Sequence, residues 1–413
     1  MRTSLSAVSI GVVALGGLSF ANNLNGPWEF QPLPGSTYGQ ASSTWTVPYI
    51  VPAGYNQWMV QDETKLDVYA GVDDLHDMNT TNERGHQSGR YMYNTYEQDA
   101  GGAVAVTDLK TGAAKVLVRG DDYGFDWNRL DGIRWTPWNT LLVTEEVPGG
   151  HVYEIFLDKH DLTKVVDVKE RTALGALRHE GIDVGKDGSV YVIDELNGGS
   201  VYKFVPSKKG DLSDGTLYAL KITGLTDAQQ KWSSATFDSK VGAFEWVAID
   251  QTVARVDGDS ASNAVSATEF GRPEDMEIIG TTLYVANTSE DRVIAVDLAA
   301  KKVSTFVESG LNVPVEVAGS VTGFHSPDNL AEGPDGTLWV VEDNDYSDIY
   351  HASKDLNGDG AADTVDLFAS LTDKGAETTG IYFGNDNKTM YVTVQHPDKD
   401  LADGIWAISK KRS

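Results

Sequence analysis

The sequence predicts an all-β chain folded as a β-propeller, with six blades and seven as the alternative count. Three observations predict it. Short β-rich runs flanked by Gly, Asp and Asn dominate, and long helical periodicity is hard to find. Six compact apolar runs recur: Tyr91-Met92-Tyr93, Leu141-Leu142-Val143, Val190-Tyr191-Val192, Leu283-Tyr284-Val285, Leu338-Trp339-Val340 and Met390-Tyr391-Val392. Their steps are 50, 49, 93, 55 and 52 residues, close to the size of a four-stranded blade.

The elements follow in chain order. At the start, MRTSLSAVSIGVVALGGLSFANN joins one Arg, an apolar run from Val8 to Phe20 and a small-x-small exit at Ser19-Phe20-Ala21. That is the pattern of a secretory signal, too short for a membrane anchor, with cleavage expected after Ala21. Residues 22–413 are then expected to form a single propeller domain, secreted or periplasmic. Turn sequences precede most of the later runs: KDGS, IGTT, PDGT and NDNKT. The 93-residue step reads as one blade carrying an insertion, because KKGDLSDG and TDAQQKWSSATFDSK look like loop and connector. Loop and short helical insertions are expected there.

The chain of 413 residues carries 61 acidic and 33 basic side chains, a formal charge of −28. Such a balance argues against nucleic acid or an anionic membrane surface as partner, and fits a monomer that uses carboxylates to hold hard cations. There is no cysteine, so neither a disulfide nor a thiolate ligand is possible. Bound calcium is the obvious substitute staple for an exported chain.

Acids recur in register with the runs. Glu180 lies ten residues before Val190, Glu274 nine before Leu283, Asp328 ten before Leu338, and Glu377 thirteen before Met390. Each would sit near the start of a blade's inner strand, and inner strands line the central channel in one common direction. Four or more carboxylates meeting at one mouth would repel unless cations neutralised them. The plainer reading is that these acids cap strands or satisfy turn N–H groups. In Arg272-Pro273-Glu274, residues two apart on an extended strand would both face the channel. The planar fork of Arg272 matches two phosphate oxygens, and pairing with a nearby acid is its structural alternative. Glu145 and Glu146 offer further carboxylates, one entering the site while its neighbour points away; Glu342, Asp343 and Asp345 follow the LWVV strand. His179 and His396 are possible ligands or hydrogen-bonding groups.

A second motif is more specific. DLNGDGAADTVD places Asp355, Asn357, Asp359, Asp363 and Asp366 around Gly360, where a calcium loop turns sharply. Position twelve is Asp366 instead of the longer glutamate, which weakens bidentate closure. The motif reads as a peripheral calcium loop fixing a blade connection, with no chemistry of its own.

Together, WTPWNTLLVTEE, LRHEGIDVGKDGSVYVIDE, FGRPEDMEI, SPDNLAEGPDGTLWVVEDN and AETTGIYF with TMYVTVQHP resemble the PhoX-type alkaline phosphatases, in order and at compatible spacing. The resemblance implies a secreted six-bladed propeller that hydrolyses phosphate esters at calcium and ferric ions in the channel mouth. Carried over by motif, Glu180, Glu274 and Glu377 are implied metal ligands, and Arg272 the group that holds the substrate phosphate, so Arg272, Glu274 and Glu180 form the implied catalytic set. Glu97, Glu145, Glu146 and Asp328 are further candidate ligands. Two departures stand out. Tyr96 precedes Glu97 where a histidine is usual, and Asp131 stands about where the family places an iron-bound cysteine. A carboxylate there favours calcium and puts Fe3+ in doubt. The expected cofactors are therefore several Ca2+, and the expected partner is a small phosphorylated substrate.

The expected function is a secreted metal-dependent phosphatase acting on phosphate monoesters. The alternatives are a calcium-stabilised propeller that binds without turnover, or a calcium-dependent phosphodiesterase, esterase or lactonase.

Overall fold

The structure, a computed structural model, describes residues 28–36, 45–233, 239–313, 323–344, 347–373, 375–397, 399 and 402–411. The expected signal at residues 1–21, and Asp345, lie outside them. Among the described residues no helix is long and apolar enough to cross a membrane.

Six antiparallel four-stranded units follow one another. The first comprises His76–Thr81, Tyr91–Tyr96, Ala103–Asp108 and Ala113–Arg119; the second Leu130–Trp135, Thr140–Glu145, Val152–Leu157 and Val165–Glu170. The third runs Ile182–Val184, Val190–Ile193, Val201–Lys208 and Asp211–Ile222; the fourth Pro273–Ile279, Thr282–Asn287, Arg292–Asp297 and Lys302–Glu308. Pro327–Glu332, Leu338–Glu342, Asp348–Ala352 and Val365–Leu371 make the fifth. The sixth combines Glu377–Phe383, Thr389–Gln395 and Gly404–Lys410 with Tyr55–Asp62 from the other end of the chain. That N-terminal strand pairs from Tyr55 opposite Lys410 to Asp62 opposite Gly404, and so closes the ring without a covalent bond.

Each apolar run seen in the sequence is the second strand of a blade. Leu141, Leu142 and Val143 are all fully buried, as are Val190 and Val192, because neighbouring blades cover both faces of the strand. A strand covered on both sides has no reason to alternate, which is why it reads as a solid apolar run. Among the described residues large apolar clusters fill five of the six blade junctions, and a small one of Val68, Tyr96, Ala103 and Ala105 lies at the sixth. The largest aromatic one, between the fifth and sixth blades, seats Trp339 against Trp28, Phe368 and Phe383 at centroid distances of 5.6, 5.0 and 5.3 Å. Trp339→Ala at this site would cost ~3–5 kcal/mol.

The 93-residue step is one blade plus an insertion, but KKGDLSDG is not a loose connector. Lys208 pairs with Asp211 at the tip of a hairpin, and Asp211–Ile222 is the third blade's outer strand. The insertion proper begins after it, with the short helices Asp227–Gln230, Gln251–Ala254 and Gly258–Asn263. Between them Gly242–Ala248 pairs with Asp211–Ile222 on one side and with Val303 and Lys302 on the other, joining the third and fourth blades into one sheet.

Candidate metal centre

Every inner strand delivers a carboxylate to the same mouth of the channel, where its chain enters. They are Asp77, Asp131, Glu180, Glu274, Asp328 and Glu377, one from each blade in order. The first five are buried and Glu377 is partly exposed. Oxygens of Glu180, Glu274 and Asp328 lie within 4.8 Å of one another. Close main-chain approach sets this spacing. Gly181 N donates to Glu274 O at 3.0 Å, and Thr144 Oγ1 donates to Glu180 O at 2.8 Å. One residue further along, Asp275 accepts from Leu330 N and Asn329 from Gly380 N, each at 2.8 Å, tying the fourth inner strand to the fifth and the fifth to the sixth.

A second tier sits just past the second strands: Glu97, Glu146, Glu195, Asp343 and His396. All of these but Glu195 line the channel mouth, and Glu195 is fully buried behind the guanidiniums. Glu145 is turned aside. Its oxygens accept from Asn128 N, His151 N and Tyr153 Oη at 3.0, 3.2 and 3.2 Å, so of the Glu145-Glu146 pair only Glu146 enters the cluster. Glu342 plays the same bracing part in the fifth blade, accepting from His325 N and Asp348 N. His179 turns inward to Gly175 O at 3.1 Å, while His396 reaches the mouth.

Three arginines alternate with the acids. Arg129 bonds Glu97 and stands 3.6 Å from Glu146. Arg178 bonds Glu146 and Glu195, the latter at 2.8 Å, and Arg272 bonds Glu195 at 2.8 Å and Glu274 at 2.9 Å. An unbroken chain of acid and guanidinium thus runs across the first four blades, and among the described residues the fifth and sixth add acids but no arginine. Each arginine lies two residues before its blade's ring acid. Arg272 does not get there by the extended geometry expected from its spacing: its φ is +47°, in the left-handed region. Arg129 at +45°, Ser326 at +48° and Leu75 at +54° repeat the same turn at the same place in other blades. A non-glycine residue there costs conformational energy, and its recurrence marks a deliberate re-aiming of the chain into the mouth.

The mouth encloses about 240 Å³. Nine carboxylates and three guanidiniums line it, a formal surplus of six negative charges. Burial, and then the neighbouring carboxylates, hold Asp77, Asp131, Glu180, Asp328 and Glu377 well above the usual carboxylate range. Glu97, Glu146 and Glu195 are pushed up to about 7, again by burial first. Asp131 Oδ1 and Asp328 Oδ1 are buried with no hydrogen-bond partner. Orphaned buried carboxylate oxygens in so negative a site fit hard cations with oxygen ligands.

Sequence reasoning therefore gathered most of the ring but missed Asp77, Glu195, Arg129 and Arg178. A usable signal existed: RLD at residues 129–131, RHE at 178–180 and RPE at 272–274 repeat Arg-x-acid at three of the six inner strands. Asp77 escaped because it lies fourteen residues before Tyr91, a longer hairpin than the others.

The DLNGDGAADTVD stretch is the hairpin between Asp348–Ala352 and Val365–Leu371. Asp355 accepts from Gly358 N and Gly360 N, Asn357 and Asp359 accept from Asp359 N and Ala361 N, and Asn357 reaches Asp363 at 3.2 Å. Asp366 accepts weakly from Thr364 at 3.4 Å. The loop docks on the fourth blade through Ser304 Oγ to Gly360 O and Ala362 N to Phe306 O. Among the described residues its carboxylates do not converge as those of the ring do.

A larger cavity, about 520 Å³, opens at the opposite end of the inner strands beside Trp135, Ile278 and Phe383. Its buried acids Asp183 and Glu277 share Arg134 at 2.6 and 2.9 Å, and among the described residues its acids form no cluster that could hold a cation.

Comparison with solved structures finds a gluconolactonase from Xanthomonas campestris, 12% identical, covering 94% of this chain and 99% of that one with a TM-score of 0.48. A calcium-binding regucalcin from Agrobacterium tumefaciens is 13% identical, covering 83% and 95%, with a TM-score of 0.43. No curated protein matches the chain. A family model described as alkaline phosphatase PhoX matches residues 142–398.

Proposed function

The chain belongs to the alkaline phosphatase PhoX family, and on that premise we propose that it is an exported, metal-dependent hydrolase of phosphate monoesters. The observation that carries this reading is the arc of Arg129, Arg178 and Arg272 laid over a six-carboxylate ring. A purely structural cation site needs the acids; it has no use for three guanidiniums at the same mouth.

Glu180, Glu274 and Asp328 form the tightest group for a cation, with Asp77, Asp131 and Glu377 completing the ring and Glu97, Glu146 and Asp343 above it. All are oxygen donors, which suits calcium. Cations held there offset the charge of a phosphate dianion, polarise its phosphoryl oxygens and lower the pKa of water. The side chain of Arg272 is 34% exposed, open enough to meet substrate, and its fork can engage two equatorial oxygens and stabilise the charge that grows on them. Export is supported by the Val8–Phe20 run and its small-x-small exit.

The test is p-nitrophenyl phosphate hydrolysis before and after chelation. Turnover should vanish with chelator and return with calcium alone or calcium plus iron. A second reading, a calcium-stabilised binding propeller without turnover, is favoured by one observation: Asp131 occupies the ring about where the family resemblance implies a cysteine. Absence of turnover under every metal condition, with calcium still raising the melting temperature, would decide for that reading.

A further inference from the structure

One blade junction is built unlike the other five. Apolar clusters join the first to the second blade, and so on to the fifth and sixth. Between the sixth and the first the apolar cluster is small, Val68 with Tyr96, Ala103 and Ala105, and polar contacts stand beside it. Asn79 bonds Thr393 at 3.0 Å, Thr379 bonds His76 O at 2.9 Å, and Gln395 reaches Asp77 at 3.3 Å. Beside it lies the ring's non-covalent closure, the pairing of Tyr55–Asp62 with Gly404–Lys410 inside the sixth blade, from which the chain runs on into the first blade.

Three side chains meet at that point. Glu63 follows the closing strand directly, Asp403 directly precedes Gly404–Lys410, its pairing partner, and His76 opens the first blade's inner strand. Ligand atoms of the three lie within 4.8 Å of one another, and all three residues are buried. His76 is fully buried; Gln61 Nε2 stands 2.9 Å from its Nε2, and its Nδ1 has no partner. Glu63 is 6% exposed and its Oε2 is likewise unpartnered, while Oε1 accepts from Asp74 N at 2.9 Å. Asp403 accepts from Leu75 N at 2.7 Å and His396 N at 3.1 Å, which fixes its carboxylate without neutralising it. Among the described residues no Lys or Arg side chain pairs with Glu63 or Asp403. With the Gln61 amide turned so that its unpartnered Oε1 accepts from His76 Nε2–H, the buried imidazole keeps the lone pair on its unpartnered Nδ1 for a ligand.

We propose that Glu63, His76 and Asp403 form a second metal site, distinct from the channel ring, that takes a divalent transition cation of the zinc type and clasps the ring closed. One imidazole nitrogen with two carboxylates is a zinc-type donor set, whereas calcium takes oxygen alone. The cation would join the first blade to both partners of the closing strand pair. It would add cohesion at the junction whose apolar cluster is the smallest.

The experiment uses full-length protein stripped by chelator and then titrated with Zn2+ in the presence of excess Ca2+, which occupies all-oxygen sites. Wild type should bind one equivalent of zinc and melt at a higher temperature for it. Glu180→Gln/Glu274→Gln should keep that equivalent, and Glu63→Gln and Asp403→Asn should each lose it. Co2+ in place of zinc should give a d–d spectrum that His76→Gln abolishes. Zinc binding unchanged in Glu63→Gln and Asp403→Asn would overturn the proposal, as would zinc uptake lost only in the ring variant. Should one clasp variant fail to fold, the other with the cobalt spectrum of wild type still decides.

Discussion

Arg272 reaches across a blade boundary: its Nε and Nη2 both stand 2.8 Å from Glu195 Oε1, on the preceding blade. The same guanidinium meets its own blade's Glu274 at 2.9 Å. It is held in position by two acids and still has 34% of its side chain exposed, which is the arrangement of a preorganised anion receptor. Arg272→Ala should lower kcat/KM for p-nitrophenyl phosphate by ~10²- to 10³-fold. Arg272→Lys should fall between, since an ammonium cannot present two parallel donors. Circular dichroism should show both folded. Unchanged turnover in Arg272→Ala would remove the guanidinium from the chemistry.

The fold was largely legible because blade strands covered on both faces must be apolar throughout, and such runs show at once in sequence. The ring acids were legible for a related reason: equivalent blades place equivalent residues at one mouth. What failed was reasoning about single residues. Arg272 does line the mouth beside Glu274, but a left-handed residue brings it there in place of the strand alternation expected. Strand alternation says that one of Glu145 and Glu146 turns away but not which one, and the backbone N–H groups that claim Glu145 come from Asn128 and His151, whose nearness only the folded hairpins create.

Stability without metal should depend on pH in a definite sense. Glu97, Glu146 and Glu195 ionise at about 7 in the folded chain, above the ordinary ~4.3 of an unfolded glutamate. Between those values the folded state binds more protons, so its stability is greatest at the acid end and falls as pH rises. Chelated protein should melt higher at pH 5 than at pH 8, and calcium should remove most of the difference. A melting temperature of the chelated protein that rises from pH 5 to pH 8 would contradict the crowded-carboxylate picture.

Neutralising one ring acid should separate stability from metal binding. Glu180 is buried beside Glu274 and Asp328, and all three repel in the absence of cations. Glu180→Gln keeps the shape and removes one charge. The metal-free variant should be more stable than metal-free wild type at pH 8, because an uncompensated buried charge is gone. Its calcium-induced rise in melting temperature should be smaller. Calorimetric calcium binding equal to wild type would exclude Glu180 as a ligand.

Backbone contact should matter as much as charge. A Cβ on Gly132 would lie 2.1 Å from Glu180 O and 2.6 Å from Thr144 Oγ1, so Gly132→Ala must push the second and third blades apart. Overpacking of this kind costs ~1–3 kcal/mol or more, and here it also displaces a ring carboxylate. Weaker calcium binding should accompany the lower stability. Gly224→Ala is the control, since nothing lies within 4 Å of its added Cβ. Equal behaviour of the two variants would show that Glu180 tolerates movement.

Asp131 offers a direct probe of metal choice. It is buried in the inner strand Leu130–Trp135, its Oδ1 has no partner, and Asp77, Glu146 and Glu97 surround it electrostatically. A carboxylate at this place favours hard cations, whereas a thiolate favours softer ones. Asp131→Cys should therefore retain more iron per chain than wild type after loading with both metals, and should gain the visible absorption of an iron–thiolate bond. The ring's negative charge falls only if that thiol stays protonated, and a bound ferric ion would deprotonate it. Iron content equal to wild type, with no new absorption, would mean that Asp131 faces no cation.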